Sequence, residues 1–255
     1  MILCFSATGN SQYCANVLMK AMDDMIVSIN DCLKHNIRVI DAASSDRLGI
    51  ICPIYDWDIP WVIADFLKEC TFVNLPMDCY VYAVFTCGKS SGYAYETVFS
   101  ILSEKGIAFS AAYAVCMPDT YIPMFPLASV EQQKKQLKEA EATLVRVKEA
   151  VSQKQKEVML TTRPPKIMYW LMRKKFLPKQ KEVKQFWIND NCIGCGTCEK
   201  VCSQNIIQIR DGHPIWTEDN CASCLACLHR CPKQAIQYGR KTEKTGRYTN
   251  PNIQW

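Results

Sequence analysis

The sequence predicts an α/β protein: a doubly wound parallel sheet of five strands, followed by a small α+β domain. In the first 128 residues, short apolar segments alternate with helical ones, which is typical of parallel strands covered by helices on both faces. Towards the end of the chain, eight cysteines stand in two matched runs. A basic segment with prolines separates the two regions. We therefore expect four parts, at residues 1–160, 161–185, 186–240 and 241–255.

Five apolar segments are predicted to be strands, because each is short and suited to a buried sheet. They are residues 1–5, 25–29, 48–55, 79–86 and 111–117. The helices between them are predicted at residues 13–22, 60–70 and 93–105. Residues 30–46 show no clear pattern and fit either a short helix or an irregular crossover.

The turn after the first strand has the composition of a phosphate-binding loop. A strand, a turn with hydroxyls and glycine, and a helix N-terminus together direct backbone N–H groups and the helix dipole at an anion. The residues of this phosphate loop are Ser6, Ala7, Thr8, Gly9, Asn10 and Ser11. Because a serine before a helix is common in any α/β protein, the turn alone does not establish a ligand.

With this loop, the first 128 residues resemble a flavodoxin, whose FMN phosphate loop usually reads T-x-T-G-N-T. The resemblance implies a 2-1-3-4-5 strand order, with FMN at the carboxyl ends of the strands. It also implies two loops that hold the flavin ring, after the third and fourth strands. The candidate flavin-binding residues in these ring loops are Pro53, Ile54, Tyr55, Trp57, Thr86, Cys87, Gly88 and Tyr93.

Three of these candidates, Tyr55, Trp57 and Tyr93, offer flat apolar surfaces for the ring, and Gly88 would let the backbone approach it. The chain departs from the family in two respects. The phosphate loop lacks a threonine at its head, and the formal net charge is +5, whereas many flavodoxins are acidic. A flavodoxin-like fold without a cofactor is the alternative, with the aromatic side chains in the protein core.

The segment after residue 128 is predicted to form one long helix. Ser129 and Gln132 have the spacing of a capping box. An apolar residue recurs at every seventh position, at Val130, Leu137, Leu144, Val151 and Val158. We expect a helix of nearly thirty residues that packs on the sheet and whose far end reaches toward the second domain.

A basic connector follows this helix. Residues 163–184 include eight lysines or arginines and one acidic residue, Glu182. Residues 166–176 are apolar, then aromatic, then basic. Three interpretations are open: a connector that packs its aromatic side chains between the domains, a docking patch for an acidic redox partner, or a helix on an anionic membrane.

Eight cysteines dominate residues 191–239. The first run is Cys192, Cys195, Cys198 and Cys202, and the second is Cys221, Cys224, Cys227 and Cys231. The second run repeats the first at an offset of 29, so the region is an internal duplication. A C-x2-C-x2-C loop can surround one cubane [4Fe-4S] cluster, and in the bacterial two-cluster pattern the fourth thiol ligates the other cluster.

This region resembles a bacterial two-cluster ferredoxin. The resemblance implies that cluster I is held by Cys192, Cys195, Cys198 and Cys231. It implies that cluster II is held by Cys221, Cys224, Cys227 and Cys202. The alternatives fit less well, because zinc sites usually place two close pairs apart and disulfides suit an oxidising compartment.

Smaller expectations concern the surroundings of the cysteines. Cys231 is followed by proline, as in the family, but Cys202 is followed by Ser203, whose hydroxyl would tune cluster II. His229 is expected to be an exposed loop residue. Residues 186–188 are predicted to pair antiparallel with residues 206–209. The tail is either loose or docked through Trp255.

The remaining observations concern location. The N-terminus lacks the features of a signal peptide, and no run of about 18 apolar residues is present. We therefore expect a cytoplasmic protein in a reducing setting, and exposed low-potential clusters suggest an anaerobe. No nucleic-acid-binding motif is visible.

Taken together, the chain resembles a flavodoxin–ferredoxin fusion. A flavin exchanges one or two electrons and each cubane exchanges one, so the resemblance implies an electron carrier that links one-electron and two-electron steps and serves redox partner proteins. A ferredoxin-fed FMN reductase of a quinone or nitro compound is the alternative. A redox sensor would need an effector module, which the sequence does not show.

Overall fold

The structure is a computed structural model that describes residues 1–42 and 45–254. The side chains of residues 176 and 178–180 are also outside the description. The prediction that Trp255 docks on a neighbouring domain therefore lies outside the described residues, as does the side chain of Phe176 in the basic connector.

A parallel sheet forms the centre of the N-terminal region. In chain order the strands of this region are β1 (Ile2–Cys4), β2 (Ile26–Ser28), β3 (Val39–Asp41), β4 (Arg47–Pro53), β5 (Thr71–Val73), β6 (Tyr80–Cys87), β7 (Phe109–Cys116) and β8 (Val158–Met159). Among the described residues, six of them form one parallel sheet in the order β2-β1-β4-β6-β7-β8. The five predicted strands lie in the 2-1-3-4-5 order, and β8 corrects the expected strand number from five to six.

Helices cover both faces of this sheet. They are α1 (Asn10–Met22), α2 (Ile29–Lys34), α3 (Trp61–Glu69), α4 (Ala94–Glu104) and α5 (Val130–Ser152). Successive residues of a strand point to opposite faces, so β1 contributes to two cores. One core joins Leu3 to Phe66 of α3, and the other joins Ile2 to Leu144 of α5. The predicted α/β architecture with a doubly covered sheet is confirmed.

Helix α5 begins as predicted but ends earlier. Ser129 and Gln132 form the capping box. The helix has 23 residues and stops at Ser152, because Lys154 turns into the left-handed region with φ 52°. The C-terminal end lies beside the start of β4, where Arg47 Nε donates to the Val151 carbonyl at 3.3 Å. The expectation that this end reaches the second domain was therefore wrong.

The unassigned residues 30–46 contribute most of α2 and then β3. Strand β3 pairs in parallel with β5 as a separate two-stranded unit beside the main sheet. The described part of this segment thus contains a short helix followed by a short strand.

The basic connector forms helix α6 (Lys166–Gln180). Tyr169 is buried against the N-terminal region, whereas Trp170 is 61% exposed and Leu171 is 66% exposed. The connector therefore packs one aromatic side chain inward and leaves another in solvent. No helix in the described ranges is long and apolar enough to cross a membrane.

The cysteine-rich region contains two small antiparallel ribbons. Its elements are β9 (Phe186–Ile188), α7 (Thr197–Val201), β10 (Ile207–Arg210), β11 (His213–Trp216), α8 (Ala226–His229) and β12 (Ile236–Tyr238). Strand β9 pairs with β12, and β10 pairs with β11 across the turn at Asp211 and Gly212. The predicted pairing of residues 186–188 with residues 206–209 was wrong. Residues 186–188, which form β9, pair with β12 at the other end of the duplicated region instead.

The tail after β12 is ordered against the rest of the protein up to residue 254. Arg247 Nη2 donates to the Ile236 carbonyl at 3.0 Å, which ties the tail to the cysteine-rich region. Tyr248 and Asn250 are buried. The described part of the tail is therefore docked rather than loose.

Candidate functional site

A first cavity lies in the cysteine-rich region. The thiol-bearing residues that line it are Cys192, Cys195, Cys198 and Cys231. Apolar side chains, including Ile209 and Ile236, close the rest of the wall. We refer to this as cavity I.

A second cavity in this region has the complementary set of thiols. The cysteines in its lining are Cys202, Cys221, Cys224 and Cys227. Each cavity thus receives three thiols from one run and the last thiol of the other. We refer to this as cavity II. The two linings have the same composition as the two crossed ligand sets, although ligation itself stays a prediction.

The two runs curl around their cavities with matching backbone shapes. Gly194 and Gly196 of the first run adopt positive φ, and so do Ser223 and Leu225 at the equivalent positions of the second run. A branched side chain such as leucine rarely adopts this conformation. The second run therefore holds the same curl at some cost in backbone strain, as is frequent at functional sites.

The thiols differ in their exposure. Burial raises the pKa of Cys198 to about 11 and that of Cys221 to about 12. Cys195 is exposed, and the hydroxyl of Thr197, 3.4 Å from its sulfur, lowers its pKa. A buried thiol loses its proton readily only when a cation such as iron stabilises the thiolate. A metal group bound here would therefore have to displace the protons of the buried thiols, and cavity I opens to the surface at Cys195.

Cavity II faces the N-terminal region. The indole N–H of Trp61, the first residue of α3, donates to the Cys221 carbonyl at 3.1 Å. Ala222 packs in the same core as Phe66 of α3. Burial, together with nearby Cys224 and Cys221, raises the pKa of Tyr55. Cavity II, rather than cavity I, is therefore the one beside the ring loop of residues 53–58.

The first cysteine run is connected to the N-terminal region through α2. Lys34 Nζ donates to the Lys200 carbonyl at 2.7 Å, and Asn205 Nδ2 donates to the Lys34 carbonyl at 2.5 Å. These bonds hold α7 against α2, so both cysteine runs are fixed to the N-terminal region.

The phosphate loop connects β1 to α1. All six of its residues are buried. Gly9 has φ 98°, a conformation that favours glycine, and it precedes the first helical residue. The hydroxyls of Ser11 and Thr86 lie 2.7 Å apart, which joins the phosphate loop to the carboxyl end of β6.

The N-terminus of α1 fits a phosphate group. The helix has no side-chain cap, and its first bond runs from the Tyr13 N–H to the Gly9 carbonyl at 2.8 Å. The N–H groups of the first helical turn therefore have no intrahelical partner. Such a turn, with the Thr8 hydroxyl beside it, is suited to a phosphate monoester.

The two ring loops contact each other. Residues 55–58 form a tight hairpin in which Asp56 and Trp57 have φ of 48° and 66°. The Trp57 carbonyl accepts from the Tyr93 N–H at 2.7 Å. A Cβ at Gly92 would lie 2.0 Å from that carbonyl oxygen, so only glycine fits this crossing. Strained non-glycine residues in such a loop point to a functional constraint.

The other ring-loop candidates lie at the same edge of the sheet. Pro53 is opposite Thr86, and the Ile54 N–H donates to the Thr86 carbonyl at 2.9 Å. A Cβ on Gly88 would lie 2.8 Å from Asp119 Oδ2, so the absence of a side chain there admits this carboxylate. Cys87 is buried behind it.

Tyr93 is engaged with the connector. Its ring lies 4.3 Å from the ring of Tyr169, and its hydroxyl donates to the Pro164 carbonyl at 2.9 Å. The Tyr93 ring therefore faces α6, and its contact with a flavin stays a prediction.

Asp58 is a site residue that the sequence interpretation missed. Its carboxylate is fully buried, and Oδ2 accepts from the Tyr169 hydroxyl at 2.5 Å, from Arg173 at 2.6 Å and from Thr97 at 2.9 Å. Burial raises the pKa of Asp58, while the hydrogen bond from Tyr169 and the charge of Arg173 lower it. This network fixes α6 to the ring loop. The sequence signal for this site was an acidic residue close to three aromatic residues, Tyr55, Trp57 and Trp61.

His229 was expected to be exposed, and that was wrong. It is 4% exposed, because the tail and the loop after β7 cover it. Nδ1 accepts from the Tyr248 N–H at 3.2 Å, so Nε2 carries the proton and donates to the Thr120 carbonyl at 2.8 Å.

The chain was compared with known families and solved structures. Residues 191–236 match the family model described as a 4Fe-4S dicluster domain. A candidate flavoprotein from Bacteroides uniformis superposes with a TM-score of 0.36 and 18% identity, over 54% of this chain and 96% of that one. The Trp repressor binding protein from Bacillus subtilis gives a TM-score of 0.33 and 12% identity, over 56% and 97%. No curated protein matches significantly.

The dicluster match supports iron–sulfur chemistry in the cysteine-rich region, and therefore a redox function in general terms. The chain joins a flavodoxin-like α/β fold to a C-terminal region similar to 4Fe-4S dicluster domains.

Proposed function

We propose that the protein is an electron carrier that passes electrons between two [4Fe-4S] clusters and one FMN, and so couples one-electron to two-electron redox steps. The contact between Trp61 and Cys221 carries the proposal, because it sets cavity II directly beside the expected flavin site. Electron transfer is fast only between redox groups that are held close together.

The clusters would be held by the crossed sets of thiols. Cavity I and cavity II each have four cysteines in a mostly apolar lining. The crossing matters for function, because the final thiol of each run reaches into the other cavity and keeps the two groups close. Cluster I and cluster II would therefore exchange electrons within one rigid unit.

The flavin would be held by the phosphate loop and the two ring loops. FMN supplies both one-electron and two-electron chemistry when it is bound. The first turn of α1 would hold its phosphate, and Tyr55, Trp57 and Tyr93 stay the aromatic candidates for the ring. Asp58 holds the Trp57 hairpin in place through α6.

The arrangement suggests an order along the chain of redox groups. Cavity I opens to solvent at Cys195, and the neighbouring Ile193 is 61% exposed. Cavity II lies between cavity I and the ring loop. A redox partner protein would therefore exchange electrons at cluster I, and cluster II would connect cluster I to the flavin.

Rapid-mixing spectroscopy under anaerobic conditions tests this order. Protein reconstituted with iron, sulfide and FMN is mixed with a reduced ferredoxin, and the cluster and flavin absorbances are followed separately. We expect flavin reduction to follow cluster reduction with a first-order rate that is independent of protein concentration. A rate proportional to protein concentration would mean that electrons pass between molecules, which contradicts the relay.

A further inference from the structure

The tail lies directly across the phosphate loop. The Asn250 N–H donates to the Thr8 carbonyl at 2.7 Å. The Asn10 side-chain oxygen accepts from the Tyr248 hydroxyl at 2.8 Å and from Asn250 Nδ2 at 3.1 Å. Asn250 is 1% exposed, so these bonds are shielded from water.

These bonds fix the orientation of the loop. Asn10 Nδ2 donates to the Pro118 carbonyl at 3.1 Å, so both ends of this amide have protein partners. The Thr8 carbonyl oxygen likewise accepts a hydrogen bond from the Asn250 N–H of the tail. Acceptor groups that would repel an anion are therefore turned toward the tail, and the N–H groups at the start of α1 stay available.

The same tail segment is attached to the cysteine-rich region on its other side. Arg247 Nε donates to the Leu228 carbonyl at 3.1 Å, and Nη2 donates to the Ile236 carbonyl at 3.0 Å. The Tyr248 N–H donates to His229. In the sequence, His229 stands between Cys227, which lines cavity II, and Cys231, which lines cavity I. One short stretch therefore contacts both the cluster ligand loops and the phosphate loop.

We propose that residues 247–250 form a strap that completes the phosphate-binding loop and couples it to the docked cluster region. Within it, Tyr248 and Asn250 are positioning residues for the phosphate of the flavin. This inference rests on the proposed function, because it takes the phosphate loop to hold FMN. The coupling is reciprocal by thermodynamic linkage: if the docked strap strengthens phosphate binding, bound phosphate strengthens docking of the strap by the same factor.

Two variants test the strap in the full-length, anaerobically reconstituted protein. Asn250→Ala removes one side-chain bond to Asn10 and opens the cover, and Tyr248→Phe removes a single hydroxyl. The matched control is Asn252→Ala, because the Asn252 side chain is exposed and only its backbone N–H contacts Asn250. FMN and riboflavin are titrated into each protein, and flavin fluorescence quenching gives the dissociation constants.

We expect Asn250→Ala to weaken FMN binding about tenfold and Tyr248→Phe about fivefold, as expected for the loss of neutral hydrogen bonds. Riboflavin, which lacks the phosphate, should bind all four proteins equally. The control should bind FMN as the wild type does. In the wild type, FMN but not riboflavin should slow amide hydrogen exchange in residues 247–253.

The outcomes separate this inference from the proposed function. Wild-type protein that binds FMN, with variants that bind it equally well, would overturn the strap and leave the proposed function standing. Equal weakening of FMN and riboflavin would also overturn it, because it would indicate general damage to the fold. Wild-type protein that binds no FMN would contradict the proposed function itself.

Discussion

The indole nitrogen of Trp61 donates a hydrogen bond of 3.1 Å to the backbone carbonyl of Cys221. The Cys221 N–H in turn donates to the Lys181 carbonyl at 3.0 Å, and Lys181 Nζ lies 3.9 Å from the centre of the Trp61 ring. These contacts link the start of α3, the end of the connector and the first cysteine of the second run to one another. Cavity II is thereby fixed against the flavodoxin-like fold on two sides.

Replacing Trp61 with phenylalanine should loosen this junction. The ring volume is largely kept, but the Cys221 carbonyl loses its donor, so we expect the free energy of unfolding to fall by about 1 kcal/mol. Urea denaturation of the reconstituted protein measures this change. Trp170→Phe is the control, because Trp170 is exposed and should leave stability unchanged. Equal effects of the two substitutions would show that the Trp61 contact does not hold the regions together.

Asp58→Ala should be more damaging, because Arg173 and the Tyr169 hydroxyl would lose a buried acceptor. Removing one partner of a buried ion pair costs about 3 kcal/mol. We expect a fall of this size in the free energy of unfolding, and faster proteolysis of α6 in the folded protein. Asp46→Ala provides the comparison, because Asp46 is exposed and its pairs with Arg47 and Lys154 are worth about 0.5 kcal/mol. A loss at Asp58 no larger than at Asp46 would contradict the network.

Much of the fold could be predicted from sequence, and the reason is local. Buried parallel strands such as β4 and β6 are continuous apolar runs, and the turn after β1 carries its glycine at the position with positive φ. The end of α5 could not be predicted, because Lys154 adopts the left-handed conformation without a glycine to mark it. Strand β8 is only two residues long and owes its conformation to pairing with β7.

The cysteine side of the site was accessible from spacing alone, because thiol ligands recur at fixed intervals in a loop. The surroundings of these cysteines could not be predicted from spacing. His229 and Asn250 are polar residues without periodic neighbours, and their burial depends on contacts more than a hundred residues away. Tyr93 was predicted as a flavin contact by its loop position, and the packing of its ring on Tyr169 of α6 could not be predicted. Long-range pairings of this kind leave no local pattern.

Ser203 offers a test of how the protein tunes its clusters. The residue lines cavity II and is 3% exposed, and its hydroxyl has no hydrogen-bond partner among the described residues. A hydroxyl that donates to a cluster sulfur stabilises the more negative, reduced state. Ser203→Ala should therefore lower the potential of cluster II by roughly 40 mV, the one-electron equivalent of about 1 kcal/mol.

Redox titration followed by electron paramagnetic resonance measures both clusters in the same sample. Ser203→Thr keeps the hydroxyl and should retain a potential close to that of the wild type. Cluster I should not move in either variant. An unchanged cluster II in Ser203→Ala would show that the hydroxyl has no part in tuning it.

Cys202→Ala tests the crossed arrangement. Cys202 belongs to the first run but lines cavity II with the second. We expect this variant to lose the spectroscopic signal of cluster II, or to convert it to a three-iron form, while cluster I persists. Cys231→Ala is the mirror control and should affect cluster I. Selective loss of cluster I in Cys202→Ala would reverse the assignment.

The central claim is that one chain holds two cubane clusters and a flavin. The most direct measurement is the content of iron, acid-labile sulfide and FMN per chain in anaerobically purified protein. The account predicts eight irons, eight sulfides and one FMN, with the FMN released intact on denaturation. About four irons per chain, or clusters without flavin in protein offered excess FMN, would contradict it.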